Sequence, residues 1–255
     1  MSEHLFVHIP AQLLPARMPF LLNRKLQPEV ACQEVSIEKL DLEQIRDCAA
    51  QLAEHNLKTT VHAPFSGFNP GSPKKRLQKT AHKICQQSLQ LAEALNAETI
   101  VFHPGIPYQA PAKTRQTWLA TALHFWPEYI SQAKQLGTIL TVENIYEKTT
   151  ELFAELFAEL AGANFGHCFD VGHWNIFAEE SLTDWFNKLG HYMKHLHLHD
   201  NLGESDQHLP LGAGNIDFPT YFKQVAQLDS PPSMTLEAHK LPDLEVSLTN
   251  IQNYL

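Results

Sequence analysis

The sequence predicts a single-domain, closed (β/α)8 barrel, and three observations carry that prediction. Short β-type runs alternate with longer helical patterns from one end of the chain to the other, the signature of βαβ units around a parallel sheet. The runs number eight in 255 residues, the length such a barrel needs. No GxGxxG follows the first run, as an open, doubly wound dinucleotide-binding sheet would carry.

The strands read as Leu5–Ile9, Val30–Val35, Lys58–His62, Glu98–His103, Thr138–Glu143, Phe165–Asp170, Lys194–His199 and Ser233–Glu237. Most are rich in apolar residues, as parallel strands buried on both faces should be. Pro10, Pro15, Pro19 and Pro28 leave little room for a long helix in the first unit, which is therefore expected to be irregular. Asp41 is placed to cap a helix carrying Leu42, Ile45, Ala49, Leu52 and Ala53 at helical spacing. Ser72-Pro73 reads as a cap and first helical residue ahead of the face Leu77, Ala81, Ile84, Cys85, Ser88, Leu91 and Leu95. A third helix spans Lys113 to Gly137, with a break expected near Pro127. The repetitive stretch from Glu151 to Leu160 puts Leu152, Phe153, Leu156, Phe157 and Leu160 on one stripe and reads as a packed helix. Further helices fit Leu182–Leu189, Phe218–Leu228 and Leu244–Leu255, and no linker divides residues 1–255 into two domains.

Composition narrows the class. Apolar residues make up 44% of the chain and charged residues 18%, enough apolar content for a sizeable core. The longest apolar runs, such as Ile139 to Val142, are too short to span a bilayer, so no membrane partner is expected. The formal net charge of -9 disfavours tracking along nucleic acid. Lys74-Lys75-Arg76, at a helix start, is a small basic cluster that reads as a solvated face, with phosphate binding as the alternative. The N-terminus lacks a basic segment followed by an apolar one, so no signal peptide is expected. Cys32, Cys48, Cys85 and Cys168 are far apart without a CxxC and read as reduced, mostly buried thiols of a cytoplasmic protein.

The chain holds 15 histidines, and their positions are informative. His62, His103, Glu143, Asp170, His197 and Glu237 stand at or near the C-terminal ends of strands three to eight, in order. In a barrel those ends converge on one mouth, where its active sites are built. Gathering three carboxylates there costs several kcal/mol each in desolvation, with repulsion added. A divalent cation removes much of that cost, and imidazole with carboxylate suits Zn²⁺ or Mn²⁺ better than Mg²⁺. His173, three residues after Asp170, and the pair Asp206 and His208 after the seventh strand add further ligand types. The nine candidates exceed the needs of one ion and could serve up to three. His195 and His199 share a face with His197 and read as supporting core residues. His8 and His167 lie inside strands and read as structural. His4, His55, His82, His124, His191 and His239 read as surface or structural. Glu147 and Trp174 follow strands five and six closely enough to line the mouth, and Phe65 reads as a pocket wall.

Seven segments together resemble the xylose-isomerase-like TIM-barrel superfamily, which holds sugar and sugar-phosphate isomerases and epimerases and also endonuclease IV. They are Val61-His-Ala-Pro-Phe65, Phe102-His-Pro-Gly105, Val142-Glu-Asn144, Phe169-Asp-Val-Gly-His173, His195-Leu-His-Leu-His-Asp-Asn201, Asp206-Gln-His-Leu-Pro-Leu-Gly-Ala-Gly-Asn-Ile216 and Thr235-Leu-Glu237. The resemblance implies a central metal on Glu143, Asp170, His197 and Glu237. In its epimerase branch the two glutamates also exchange a proton with the substrate, and His173 contacts a substrate oxygen. In its endonuclease IV branch Glu143 bridges to a second metal on His62 and His103, and a third takes His173, Asp206 and His208. Dimers are common in the superfamily. The proline-rich first loop and the compact segment Phe65-Ser-Gly-Phe-Asn-Pro-Gly-Ser depart from the long DNA-inserting loops of endonuclease IV. The leading expectation is a metal-dependent isomerase or epimerase of a small sugar or sugar phosphate. The alternative is a multi-metal phosphoester hydrolase acting on abasic DNA or a small phosphoester. A carbohydrate-binding barrel without turnover ranks third.

Overall fold

A computed structural model describes residues 4–32 and 37–254. Eight parallel strands close into a barrel in sequence order: β1 (Leu5–Pro10), β2 (Gln27–Ala31), β3 (Thr60–His62), β4 (Thr99–Phe102), β5 (Ile139–Glu143), β6 (Phe165–Asp170), β7 (Met193–Leu198) and β8 (Ser233–Leu236), with β8 pairing back to β1. The strands lie within one or two residues of the predicted runs, except β2. It begins at Gln27, where Gln27-Pro-Glu29 had no strand-like pattern, and residues 33–36 of the predicted Val30–Val35 run lie outside the described residues. Pro28 is accommodated as the second residue of its strand, near the end where a missing N–H costs least.

The helices are α1 (Leu14–Arg24), α2 (Leu42–Glu54), α3 (Lys75–Leu95), α4 (Ala112–Leu136), α5 (Glu151–Leu160), α6 (Val171–Phe177), α7 (Leu182–Leu189), α8 (Phe218–Val225) and α9 (Leu241–Asn250). Several of them correct the sequence reading: α6 has no predicted counterpart, α8 ends at Val225 and not Leu228, and α9 spans Leu241–Asn250 and not Leu244–Leu255. The first unit holds an 11-residue helix, because Pro15 falls in its first turn, where the N–H has no intrahelical partner anyway. Leu14, Met18 and Leu21 bury one face of it, which offsets the bond lost at Pro19. Helix α4 runs unbroken through Pro127, held by Trp118, Ala122, Phe125, Trp126, Tyr129 and Ala133 against the core. Helix α3 starts two residues later than predicted. Ser72 Oγ accepts from Lys74 N at 3.2 Å and so shapes the approach instead of capping the helix. Asp41 does cap α2, accepting from Glu43 N and Gln44 N.

Trp126, Phe157, Phe169 and Trp185 are fully buried in the apolar core, each contributing roughly 1.5–3 kcal/mol or more of transfer free energy. The four cysteines are free and buried, as expected. Among the described residues no helix is long and apolar enough to cross a membrane.

The segment between β7 and α8 is ordered by one carboxylate. Asp200 is fully buried and accepts from the backbone N–H groups of Asn201 (2.9 Å), Gly212 (2.9 Å), Gly214 (2.8 Å) and Ile216 (3.3 Å). Its own backbone pairs with Leu209 in both directions. Gly214 is required there, since a Cβ would meet Asn201 O at 2.2 Å and Asp200 Oδ1 at 2.3 Å. Asp206 and His208 hang on this loop. Replacing Asp200 with alanine strands several buried donors and should lower unfolding free energy by roughly 3 kcal/mol. Urea denaturation measures it, and a loss within experimental error would refute this account of the loop.

Candidate metal centre

All nine predicted ligand residues arrive at the C-terminal mouth of the barrel. His62 ends β3, Glu143 ends β5 and Asp170 ends β6, while His103 and Glu237 immediately follow β4 and β8. Strand register sets Asp170 beside His197 and His197 beside Thr235. Asn144 ties two of these ends together. Its Nδ2 donates to Asp170 O at 2.8 Å and its Oδ1 accepts from Asp170 N at 2.9 Å. Asp170 then caps α6, accepting from His173 N at 2.7 Å. Helix α6 is only 7 residues long, too short to leave a periodic trace in the sequence.

His197 Nδ1 is the centre of the cluster. It lies 3.3 Å from Glu143 Oε2, 3.4 Å from Glu237 Oε1 and 3.9 Å from Asp170 Oδ2. Neither that nitrogen nor Asp170 Oδ2 has a hydrogen-bond partner, although both are fully buried. Buried polar atoms are ordinarily partnered. A Zn²⁺-like ion with ligand bonds of about 2.0–2.2 Å holds neighbouring ligand atoms roughly 3.0–3.5 Å apart. The Glu143 and Glu237 spacings fall in that range and the Asp170 spacing lies beyond it, so the donor set suits a divalent cation in charge and chemistry and, for three of its four atoms, in separation.

The other five candidates extend the cluster to both sides. His62 Nε2 and His103 Nε2 lie 3.2 and 3.5 Å from Glu143 Oε2. His173 Nδ1 lies 3.0 Å from Glu143 Oε1, and His173 Nε2 lies 3.5 Å from Asp206 Oδ2. His208 Nε2 reaches Asp206 Oδ1 at 3.1 Å. Burial opposes ionisation of Glu143 and Glu237, but the protonated imidazoles around them, His197 foremost, outweigh it and, with no cation present, hold both below the usual carboxylate range. Burial pushes His103 down to about 3, which leaves it a neutral imidazole with a lone pair to give.

Three histidines that read as structural in the sequence also reach the mouth. His199 Nε2 is 3.2 Å from Asp170 Oδ1, and its ring stacks on His208 with centroids 3.9 Å apart. Gly172 makes the space, since a Cβ there would lie 2.0 Å from the His199 ring. His239 stacks on the other face of His208 at 4.1 Å, and His8 Nδ1 lies 3.7 Å from Glu237 Oε1. The β7 alternation already placed His195 and His199 on the His197 face. Nothing local marked His8 or His239.

Beside the cluster is a cavity of about 350 Å³, lined by Phe65, Tyr146 and Phe177 together with His62, His103, Glu143, His173, Asp206, His208 and Glu237, while Asp170 and His197 do not line it. Phe65 sits edge-on to His103 at 4.8 Å and is partly exposed. The structure does not bring Trp174 or Glu147 to this lining. Trp174 packs against the core and donates Nε1–H to Glu180 O at 3.1 Å. Glu147 Oε2 accepts from Ile145 N at 2.7 Å and borders a neighbouring cavity of about 270 Å³. The tight bend after Glu143 turns its side chain aside.

A family described as xylose isomerase-like TIM barrel matches residues 28–252. The uncharacterised protein MJ1311 of Methanocaldococcus jannaschii is 26% identical over 208 residues, covering 79% of this chain and 71% of its own. A structure described as a D-tagatose 3-epimerase-like protein superposes with TM-score 0.84 at 23% identity, covering 98% of this chain and 96% of that one. At that identity the likeness speaks for the fold. A Thermus thermophilus protein soaked with ZnCl2 superposes with TM-score 0.83 at 26% identity, covering 98% of this chain and 97% of its own.

Burial raises the Glu147 carboxyl from 4.5 to about 7. Between those values the unfolded chain has released this proton and the folded chain has kept it, so stability contributed by the neutral carboxyl falls as pH rises. Glu147→Gln should therefore flatten the decline in stability between about pH 4.5 and 7. Thermal melts across that range test it, and an unchanged slope in the variant would contradict the assignment.

Proposed function

The chain belongs to the xylose isomerase-like TIM barrel family, and on that premise we propose that it is a divalent-metal-dependent isomerase or epimerase of a small sugar. The observation that carries the proposal is the convergence of Glu143, Asp170 and Glu237 on the unpartnered Nδ1 of His197. These four residues would hold one ion, Zn²⁺ or Mn²⁺ by donor type. When bound, the ion would polarise the carbonyl and hydroxyl oxygens of a sugar and make the adjacent carbon acid.

The chain's own groups do the rest. Glu143 and Glu237 approach His197 Nδ1 with their carboxylates in the ionised form a general base needs. One would take the proton beside the carbonyl and the other would deliver a proton to the opposite face or the neighbouring carbon. His173, 3.0 Å from Glu143 Oε1, is placed to bind a substrate oxygen. Phe65, Tyr146 and Phe177 would cover the ring and limit access of water. The lining contains no Lys or Arg among the described residues, which favours an unphosphorylated sugar over a sugar phosphate. A structure of the same fold described as a D-tagatose 3-epimerase-like protein is consistent with that substrate class.

A second reading, phosphoester hydrolysis, draws on the placement of His62, His103, His173, Asp206 and His208 around the same carboxylates. Two or three ions could clamp a phosphoryl group there. Ion count separates the readings. We expect one zinc per chain to survive extensive dialysis; retention of three, with cleavage of abasic duplex DNA, would favour the hydrolase.

Metal-loaded protein incubated in D₂O with a panel of ketopentoses and ketohexoses should place deuterium at the carbon whose configuration or oxidation state changes. Glu237→Gln should lower that exchange by at least about 10²-fold. Exchange at the unaltered rate in the variant would remove Glu237 from the mechanism.

A further inference from the structure

Beneath the candidate metal centre lies a second polar layer that the proposed reaction does not use. Glu29, from β2, is fully buried inside the barrel. Its Oε2 accepts from Thr60 Oγ1 at 3.1 Å and Thr235 Oγ1 at 3.0 Å, and His195 Nε2 lies 3.1 Å from the same oxygen. His195 is itself held through Nδ1 by Ser233 Oγ at 2.6 Å. Residues of β3, β7 and β8 therefore engage one oxygen of this carboxylate, which β2 supplies, and restrain its rotation.

The other oxygen has a different environment. Glu29 Oε1 has no hydrogen-bond partner, and neither has His197 Nε2, yet the two lie 3.2 Å apart. Leaving a buried carboxylate oxygen bare is costly. A neutral imidazole that gives the lone pair of Nδ1 to a cation must carry its proton on Nε2, and that proton needs an acceptor. Glu29 Oε1 is where that acceptor would have to be.

We propose that Glu29 is a positioning residue for His197, holding the ring by its Nε2–H so that Nδ1 faces the metal centre. The inference rests on the proposed role of His197 as a metal ligand. The carboxylate fixes the tautomer and orientation of the ring and makes its free nitrogen more electron-rich. The hydroxyls of Thr60 and Thr235 keep Oε2 engaged, so that Oε1 is left for His197. The three β7 histidines then differ in duty by height in the barrel. His195 anchors Glu29, His197 lies between Glu29 and the cluster, and His199 reaches Asp170 at the mouth.

The test compares wild type, Glu29→Gln and His197→Ala by competition titration with zinc and by the visible absorption of the Co²⁺-substituted protein. Glu29→Gln keeps the size of the side chain, and circular dichroism of the metal-free protein checks its fold. Zinc affinity in this variant should fall by about 10–100-fold, with a displaced Co²⁺ band that a structural role remote from the ion would leave unmoved. A folded Glu29→Gln protein with wild-type affinity and an unshifted band overturns the role of Glu29. If His197→Ala also binds zinc like wild type, the metal-centre reading itself fails; if it loses zinc, only the inference about Glu29 does. Imidazole ¹⁵N spectra of the zinc-loaded wild type give a second readout should Glu29→Gln not fold. They should show the His197 proton on Nε2, and a proton on Nδ1 contradicts the proposal.

Discussion

Carboxylates that share a small, dry volume repel one another, and this repulsion constrains the whole upper half of the barrel. Glu143, Asp170 and Glu237 are buried within reach of one imidazole, and Asp206 adds a fourth acid at the rim. Neutral packing cannot stabilise that arrangement. Imidazoles relieve part of the cost, and a divalent cation would relieve much more. The histidines gathered at this end and their unpartnered ring nitrogens are what a site that meets that requirement would show.

The fold meets it by division of labour. Parallel strands bring six chain segments to one end with their register fixed by the ladder. Asn144 couples β5 to β6, and Asp200 organises the loop that carries Asp206 and His208. The lower layer of Glu29, His195, Thr60 and Thr235 is polar but saturated on all sides except the one facing His197. A barrel interior filled with apolar side chains would pack as well. This one instead supports a ring from below while acids surround it from above.

The fold, and the gathering of the nine candidate residues at one mouth, were legible in the sequence because each rests on a local pattern. Phe165–Asp170 is an apolar run ending in a carboxylate, and strand β6 has those same limits. Ser181 and Asp217 cap α7 and α8, whose starts the sequence placed correctly. What escaped notice depends on distant partners. Glu29 stands between Pro28 and the predicted start of the second strand at Val30, where no local pattern marks it; only closure of β2 between β1 and β3 turns it inward. His239 acquires meaning from its stack on His208, 31 residues earlier, and His8 from Glu237 at the other end of the chain. Helix α1 forms through Pro15 and Pro19 because burial of its apolar face outweighs local propensity. Trp174 and Glu147 were close to the mouth in sequence, but Trp174 sits on α6 with its indole N–H bonded to Glu180 O, and the Glu147 carboxylate folds back onto Ile145 N.

The central claim is that these scattered acids and imidazoles gather around a common cation. Anomalous diffraction at the zinc edge from crystals of the zinc-loaded protein tests it most directly. The account predicts a strong peak in contact with Glu143, Asp170, His197 and Glu237. Tightly bound zinc located elsewhere, with no peak among those four residues, would contradict it.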